Sequence, residues 1–194
     1  MAKARFRIQE HKDIYIHNDL ANAAFYFKER ISERLKNDDR EGVGIEMMAC
    51  LTMIAFAVEA RMNFLGYKLI EKWKERAPYM VKVEKVTKRL GVAPDFGERP
   101  YKTIESLKNF RDALAHGKPL EIRTDVEVEA TEEELRGRGY LGAPWEASVT
   151  GEFVEMGFED MEVVWRDLLA RSKLGVMETI TQGGATISFI EALG

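Results

Sequence analysis

Three side chains that suit phosphate and proton chemistry, Arg111, Asp112 and His116, fall within six consecutive residues. Arginine keeps its positive charge at any working pH and presents a planar fork of donors that can hold an anion. Histidine exchanges a proton near neutral pH more readily than any other side chain. Arg111 and His116 together therefore suit a phosphodiester, with a base for a hydroxyl group and a positive charge for the phosphate.

The spacing of these residues limits what one copy of the chain can do with them. Gly117 and Pro119 follow directly, so the segment is predicted to end a helix. Residues five apart point about 140° from each other around an ideal helix, so Arg111 and His116 do not share a face. They can converge on one ligand only if the helix frays at His116, if Arg111 wraps around the helix, or if two copies of the chain face each other. Asp112 is four residues from His116 and can orient the imidazole. A purely structural interpretation is also open, because the helix dipole by itself favours a histidine in the last turn.

A second polar pair lies inside the most apolar part of the chain. Residues 45–65, stopped by Gly66, predict a helix that is apolar almost all round and therefore central in the domain. Glu59 and Asn63 lie four residues apart on one face of it. A buried carboxylate needs a partner, and Arg61 points elsewhere on the helix, so we expect that partner to come from another helix. For this pair, structural anchoring is preferred over catalysis.

The composition predicts a globular cytoplasmic protein that makes no membrane contact. Of 194 residues, 45% are apolar, and the single cysteine, Cys50, excludes a disulfide within the chain. The first 25 residues are charged throughout, which does not fit a secretory signal, and the longest apolar run is too short to cross a bilayer. Three histidines and one cysteine are too few and too scattered for a zinc site, so we expect neither metal nor cofactor.

Charge is unevenly distributed along the chain, whose net charge is −4. Residues 99–123 carry six basic and three acidic residues, whereas residues 125–162 carry twelve acidic and two basic ones. The first strip fits a confined anion site, with Lys108 and Lys118 as candidate RNA- or phosphate-binding residues. The negative net charge argues against a general nucleic-acid coat. The basic residues of segment 82–89 are expected to form a solvated face.

Hydrophobic periodicity predicts a mainly α-helical chain in a single domain of residues 1–194. Apolar residues recur every three or four positions, which indicates helices with one buried face, in residues 20–35, 67–76, 80–90, 103–115 and 158–169. Together with the central helix, these segments predict a helical bundle core over residues 10–118. A C-terminal helix and tail are predicted over residues 157–194.

The pattern changes period in residues 119–156. Apolar and charged residues alternate over residues 120–128, which predicts a half-buried strand, and residues 147–154 can supply its partner. A small β-hairpin or loop extension is therefore expected after residue 119. The first eight residues and the poorly patterned tail, residues 176–194, are not assigned to a regular element.

Two of these features together resemble the HEPN superfamily (higher eukaryotes and prokaryotes nucleotide-binding). The sequence R-D-A-L-A-H-G at residues 111–117 is similar to the R-x(4–6)-H motif of that family. The sequence E-A-R-M-N at residues 59–63 is similar to the Glu-x-x-x-Asn helix of many bacterial members. The resemblance covers roughly residues 20–118.

The resemblance implies an up-down helical bundle that forms homodimers and, in many members, a metal-independent endoribonuclease of a toxin–antitoxin or defence system. It implies that His116 exchanges protons with the ribose 2′-hydroxyl and the leaving 5′-oxygen, that Arg111 binds the scissile phosphate, and that Asp112 orients His116. The expected partners are RNA or a nucleotide, a second subunit and an antitoxin protein. The alternatives are a non-catalytic dimerising or nucleotide-binding module and a plain helical scaffold.

Overall fold

The computed structural model describes residues 3–136 and 141–193. Within these ranges the chain forms six α-helices and one two-stranded antiparallel sheet, so the prediction of a mainly helical protein is confirmed. The helices are α1 (Ile16–Lys36), α2 (Val43–Leu69), α3 (Tyr79–Arg89), α4 (Tyr101–Ala115), α5 (Glu132–Arg136) and α6 (Gly151–Ser172). The strands are β1 (Lys3–Asp13) and β2 (Gln182–Leu193), and the short 3-10 turns Glu146–Ser148 and Val176–Thr179 flank α6.

The central helix is α2, which packs against α1, α3, α4 and α6. Leu51, Ile54 and Leu65 on α2 are completely buried, as the nearly all-round apolar pattern predicts. By length and composition α2 is also the one helix of the described residues that could cross a membrane. In this structure many of its apolar side chains contact the neighbouring helices and form the core of the bundle.

Two helices bring polar side chains to α2. At the start of α3, the Tyr79 hydroxyl donates to the carbonyl oxygen of Ala55 at 3.2 Å. The α4 stripe of Ile104, Leu107 and Phe110 is buried in the core. The buried stripe sets the rotation of α4 about its axis. Arg111, the residue after Phe110, therefore lies at the edge of the interface with α2.

Gly66 has a different role from the predicted helix stop. Helix α2 continues through it to Leu69, and the predicted helix over residues 67–76 is wrong beyond that point. The chain instead folds back so that Trp73 covers α2. A Cβ atom at Gly66 would lie 2.3 Å from the Trp73 ring. Gly66 therefore allows the close approach of this indole.

The predicted hairpin after residue 119 is also wrong. Residues 117–131 are exposed and have no regular structure, and residues 147–154 enter the 3-10 turn and α6. An alternating pattern forms a stable strand only when a neighbouring strand supplies cross-strand pairs, and no strand of the described residues pairs with residues 120–128. Residues 137–140 of the predicted extension lie outside the described residues.

The sheet forms instead between the N-terminal segment and the C-terminal tail. Residues 10–13, which were predicted to begin the helical bundle core, belong to its first strand, so that boundary is wrong. Strand β1 pairs antiparallel with β2 along its whole length. On one face Phe6 packs edge-on against Phe189, with ring centroids 5.8 Å apart. Next to the last pair of the sheet, Asp13 and Gln182, the Tyr15 backbone N–H donates to the Thr181 hydroxyl at 3.0 Å. The partners are far apart in sequence, so no local pattern indicates this pairing.

Candidate functional site

The side chain of Arg111 lies where α2, α3 and α4 meet. One terminal nitrogen donates to Oε2 of Glu59 at 2.9 Å, and the other lies 3.0 Å from Oδ1 of Asp112. The guanidinium carbon is 5.2 Å from the ring centroid of Tyr79 and 5.9 Å from that of Phe56. The side chain is only 16% exposed. The guanidinium is therefore held in one place by two carboxylates and two aromatic rings.

Glu59 links Arg111 to a second cation. Its Oε1 accepts a hydrogen bond from Nζ of Lys82 at 2.7 Å, and the Lys82 side chain is 3% exposed. A lysine buried this deeply needs a counter-charge, which Glu59 supplies. The Glu59 side chain is itself 22% exposed, and its partners come from α3 and α4, as expected for a carboxylate on the central helix. Glu59, Lys82, Arg111 and Asp112 are called the charged cluster below.

The environment of the charged cluster retains positive charge. Lys108 adds a third cation, because its Nζ lies 3.0 Å from Oδ2 of Asp112. Three cations then face two carboxylates. Tyr79 does not contribute a negative charge, because burial raises the pKa of its hydroxyl well above the ordinary value. This region of the protein can therefore attract an anion.

His116 lies at the C-terminal end of α4, outside the charged cluster. Its backbone N–H donates to the carbonyl oxygen of Asp112 at 2.9 Å. Its side chain is exposed and makes no hydrogen bond or ion pair with the described residues. The carboxylate of Asp112 contacts Lys108 and Arg111 instead. Among the described residues of one chain, Asp112 therefore does not orient the imidazole of His116. His116 is therefore open to a substrate or to a second chain.

The structure separates the remaining candidate residues. Lys118 is exposed two residues beyond His116. Asn63 does not join the charged cluster, because its Oδ1 accepts a hydrogen bond from Nε1 of Trp73 at 3.2 Å. The pair on α2 is thus divided, with Glu59 holding α3 and α4 while Asn63 holds the indole of Trp73.

Lys82 is the site residue that the sequence interpretation missed. It was expected on a solvated face, but it is 2% exposed. One feature of the sequence could have indicated its burial. Lys82 lies three residues after Tyr79 and directly before Val83, and both of these residues are buried on α3. A lysine beside the apolar stripe of an amphipathic helix can be buried only if a carboxylate faces it. Glu59 was the unpaired carboxylate on the predicted central helix.

Neither a metal centre nor a thiol nucleophile appears in the parts of the chain that the structure describes. No three His, Cys, Asp or Glu side chains in those parts come together as metal ligands would. Cys50 is buried, and its thiol donates to the carbonyl oxygen of Ala24 at 3.3 Å. Burial raises the pKa of this thiol to about 12, so it remains protonated and unreactive.

Comparisons with protein-family models, with curated proteins and with solved structures returned no match. The function of the charged cluster must therefore be argued from its own geometry and from the motif at residues 111–117. Two features of the site bear on its function. A positioned arginine lies in a region of positive charge, and an unpaired histidine follows it on the same helix.

Proposed function

We propose that this chain is a metal-independent endoribonuclease of the HEPN type, with an active site completed by two copies of the chain. The observation that supports it is that two different groups lie at the same end of α4. Arg111 is held in place by its neighbours, whereas His116 is exposed and makes no side-chain hydrogen bond with the described residues. Glu59 and Tyr79 hold the Arg111 guanidinium in place before any ligand arrives. Such preorganised positive charge is effective in stabilising a charged transition state.

The proposed reaction is an internal attack on the RNA backbone. The ribose 2′-oxygen bonds to phosphorus while the bond from phosphorus to the 5′-oxygen breaks, which leaves a 2′,3′-cyclic phosphate and a 5′-hydroxyl. His116 takes the proton of the 2′-hydroxyl in its neutral form or gives one to the 5′-oxygen in its protonated form. Arg111 binds the non-bridging oxygens, and Lys108 and Lys118 add positive charge beside them.

Two copies are required because of where the two groups point. Arg111 faces α2 and α3, whereas His116 is the exposed C-cap residue that ends α4, and it makes no contact with Arg111 among the described residues. A twofold contact presents Arg111 of one copy to His116 of the other, and it does so twice. The homodimer is thus part of the proposal. So are a cytoplasmic location without membrane contact, a role in toxin–antitoxin or defence systems, and an antitoxin that covers this surface.

A second candidate function is a non-catalytic module of the same fold that dimerises or binds a nucleotide. The observation that favours it is that the guanidinium of Arg111 already contacts two carboxylates, Glu59 and Asp112, within one chain. In addition, Nε of Arg111 is buried without a hydrogen-bond partner among the described residues. In this case the charged cluster fastens α3 and α4 to α2, and RNA stays intact.

Substitution of His116 separates the two functions. Wild-type protein in EDTA is expected to cleave a labelled RNA into products with cyclic phosphate ends. His116→Ala should lower the cleavage rate by about 10²–10⁴-fold, the usual contribution of general acid–base catalysis, with an unchanged melting temperature because the side chain is exposed. The matched control is His11→Ala, which removes a histidine that is 79% exposed on β1 and should leave cleavage unchanged.

Cleavage by His116→Ala at the wild-type rate contradicts the proposed enzyme. Intact RNA with the wild-type protein, combined with nucleotide binding that Arg111→Ala weakens, supports the non-catalytic module instead.

A further inference from the structure

A basic cleft of about 520 Å³ lies between the α2–α3 connection and α3. Five basic residues line it, together with a single acidic one and the indole of Trp73. The basic residues are Lys72, Lys74, Lys85, Lys88 and Arg89, and the acidic one is Glu71. The cleft belongs to residues 68–89, which carry eight basic and three acidic residues in a chain of net charge −4.

The positive charges of the basic cleft are not balanced by carboxylates. Among the described residues, none of its four lysines takes part in an ion pair, and Arg89 donates to the carbonyl oxygen of Leu69 at 3.0 Å. Several arginines elsewhere in the protein do have carboxylate partners, for example Arg34 with Asp39 and Arg99 with Glu159. Like charges gathered without counter-charges repel one another, and a bound polyanion removes that repulsion.

The basic cleft adjoins the charged cluster on two helices. Trp73 is held by Asn63, which lies one helical turn along α2 from Glu59. On α3, Lys82 of the charged cluster and Lys85 of the basic cleft are three residues apart and therefore neighbours on the helix surface. The charged cluster and the basic cleft therefore adjoin along both α2 and α3.

We propose that the basic cleft binds the phosphodiester backbone of single-stranded RNA beside the bond to be cleaved. Five cations and an exposed edge of aromatic surface fit a strand of several phosphates better than a single phosphate ion. Proteins that hold single strands combine a positive groove with aromatic side chains in the same way. The choice of RNA rests on the proposed function, whereas the preference for a polyanion rests on the basic cleft alone.

Charge reversal in the basic cleft tests this assignment. The probe is a fluorescein-labelled oligouridylate of about 12 nucleotides, within the usual site sizes of single-strand binding folds. Binding is followed by fluorescence anisotropy with His116→Ala protein, which keeps the probe intact. Lys85→Glu/Lys88→Glu should weaken binding at least about tenfold at low salt. It should also flatten the slope of log affinity against log salt by about 1.4, or about 0.7 per lost phosphate contact.

The matched control is Lys12→Glu/Lys36→Glu, which changes the net charge equally at two exposed lysines outside the basic cleft. The control should bind the probe like its parent. Equal weakening by both pairs would show unspecific attraction and overturn the proposal, as would unchanged binding by the cleft pair. Binding of a polyglutamate peptide but not of RNA would assign the cleft to an acidic protein and also overturn it.

The proposed enzyme and the basic cleft can fail separately. If the wild-type protein binds the probe through Lys85 and Lys88 but never cleaves it, the proposed function fails and the basic cleft stands. If the protein cleaves RNA while the cleft pair binds like its parent, only the inference about the basic cleft is lost.

Discussion

His17 is a titratable residue that the fold keeps uncharged. Its side chain is 2% exposed. The ring lies among aromatic side chains, with centroids 4.8 Å from Phe64, 5.3 Å from Trp165 and 6.1 Å from Tyr15. Burial, followed by the nearby charge of Arg61, lowers its pKa to about 4. The folded protein therefore contains a neutral imidazole throughout the physiological pH range.

This burial predicts a loss of stability in weak acid. Between pH 6.5 and about 4 the unfolded chain binds a proton at His17 that the folded chain refuses, so acidification favours unfolding. The contribution of His17 to the free energy of unfolding should fall by about 3 kcal/mol over that interval, at about 1.4 kcal/mol per pKa unit. Urea unfolding at a series of pH values measures the loss.

Two variants isolate the contribution of His17. His17→Phe keeps an aromatic ring in the cluster and should remove this part of the pH dependence. His11→Ala removes an exposed histidine and should retain it. If His17→Phe and the wild type lose stability equally as the pH falls, His17 is not the residue responsible.

At the scale of elements, Glu59 is the point at which α3 and α4 are fastened to α2. It lies on α2 and accepts hydrogen bonds from Lys82 on α3 and Arg111 on α4. Removing only the carboxylate leaves a buried lysine without a counter-charge, which is costly. Removing both charges of a buried pair often costs little, because the desolvation of both ions is avoided.

Substitutions of the pair should therefore be strongly non-additive. Glu59→Gln is expected to lower the free energy of unfolding by about 3–5 kcal/mol, the usual effect of breaking a buried ion pair. Glu59→Gln/Lys82→Met should recover the part of that loss that comes from the unpaired ammonium of Lys82, while Arg111 keeps its contact with Asp112. A double-mutant cycle by chemical denaturation measures the coupling. A double variant as unstable as the sum of both single variants would contradict the fastening role of this pair.

At the scale of the whole molecule, several large apolar side chains are exposed on the surface. Phe25, Tyr26, Ile45 and Phe56 on the helices are between 38% and 70% exposed. The proposed active site also needs two copies of the chain. Exposed apolar surface of this kind is common at subunit contacts, so we expect a homodimer in solution.

Mixing two inactive variants tests the shared site. Arg111→Ala and His116→Ala should each be inactive, but a mixed dimer contains one site with both groups intact. Equal amounts, exchanged to equilibrium, should recover roughly a quarter of wild-type cleavage, because about half of the dimers are mixed and each has one of two sites. Light scattering should show the mass of two 22.2 kDa chains. A monomer at micromolar concentration, or no recovered cleavage from mixed dimers, would contradict a site shared between chains.

Local pattern in the sequence determined the helices and the chemistry of the motif. The buried stripe of α4 and the apolar character of α2 were both predicted and are present. These features depend on residues three or four positions apart, which lie together in any helix of this sequence. The sequence also predicted that Glu59 needs a partner on another helix. That prediction follows from the cost of burying a charge, which does not depend on the fold.

Only the tertiary structure decided which distant segments meet. It paired β1 with β2, left the alternating residues 120–128 unpaired, and buried Lys82 against Glu59. It also used Gly66 to seat Trp73 rather than to end a helix. A strand or a buried ion pair is stabilised by a partner far away along the chain, and periodicity carries no information about that partner. The sequence therefore placed Arg111 and His116 on one helix end, and packing decided that Arg111 is held in place while His116 is exposed.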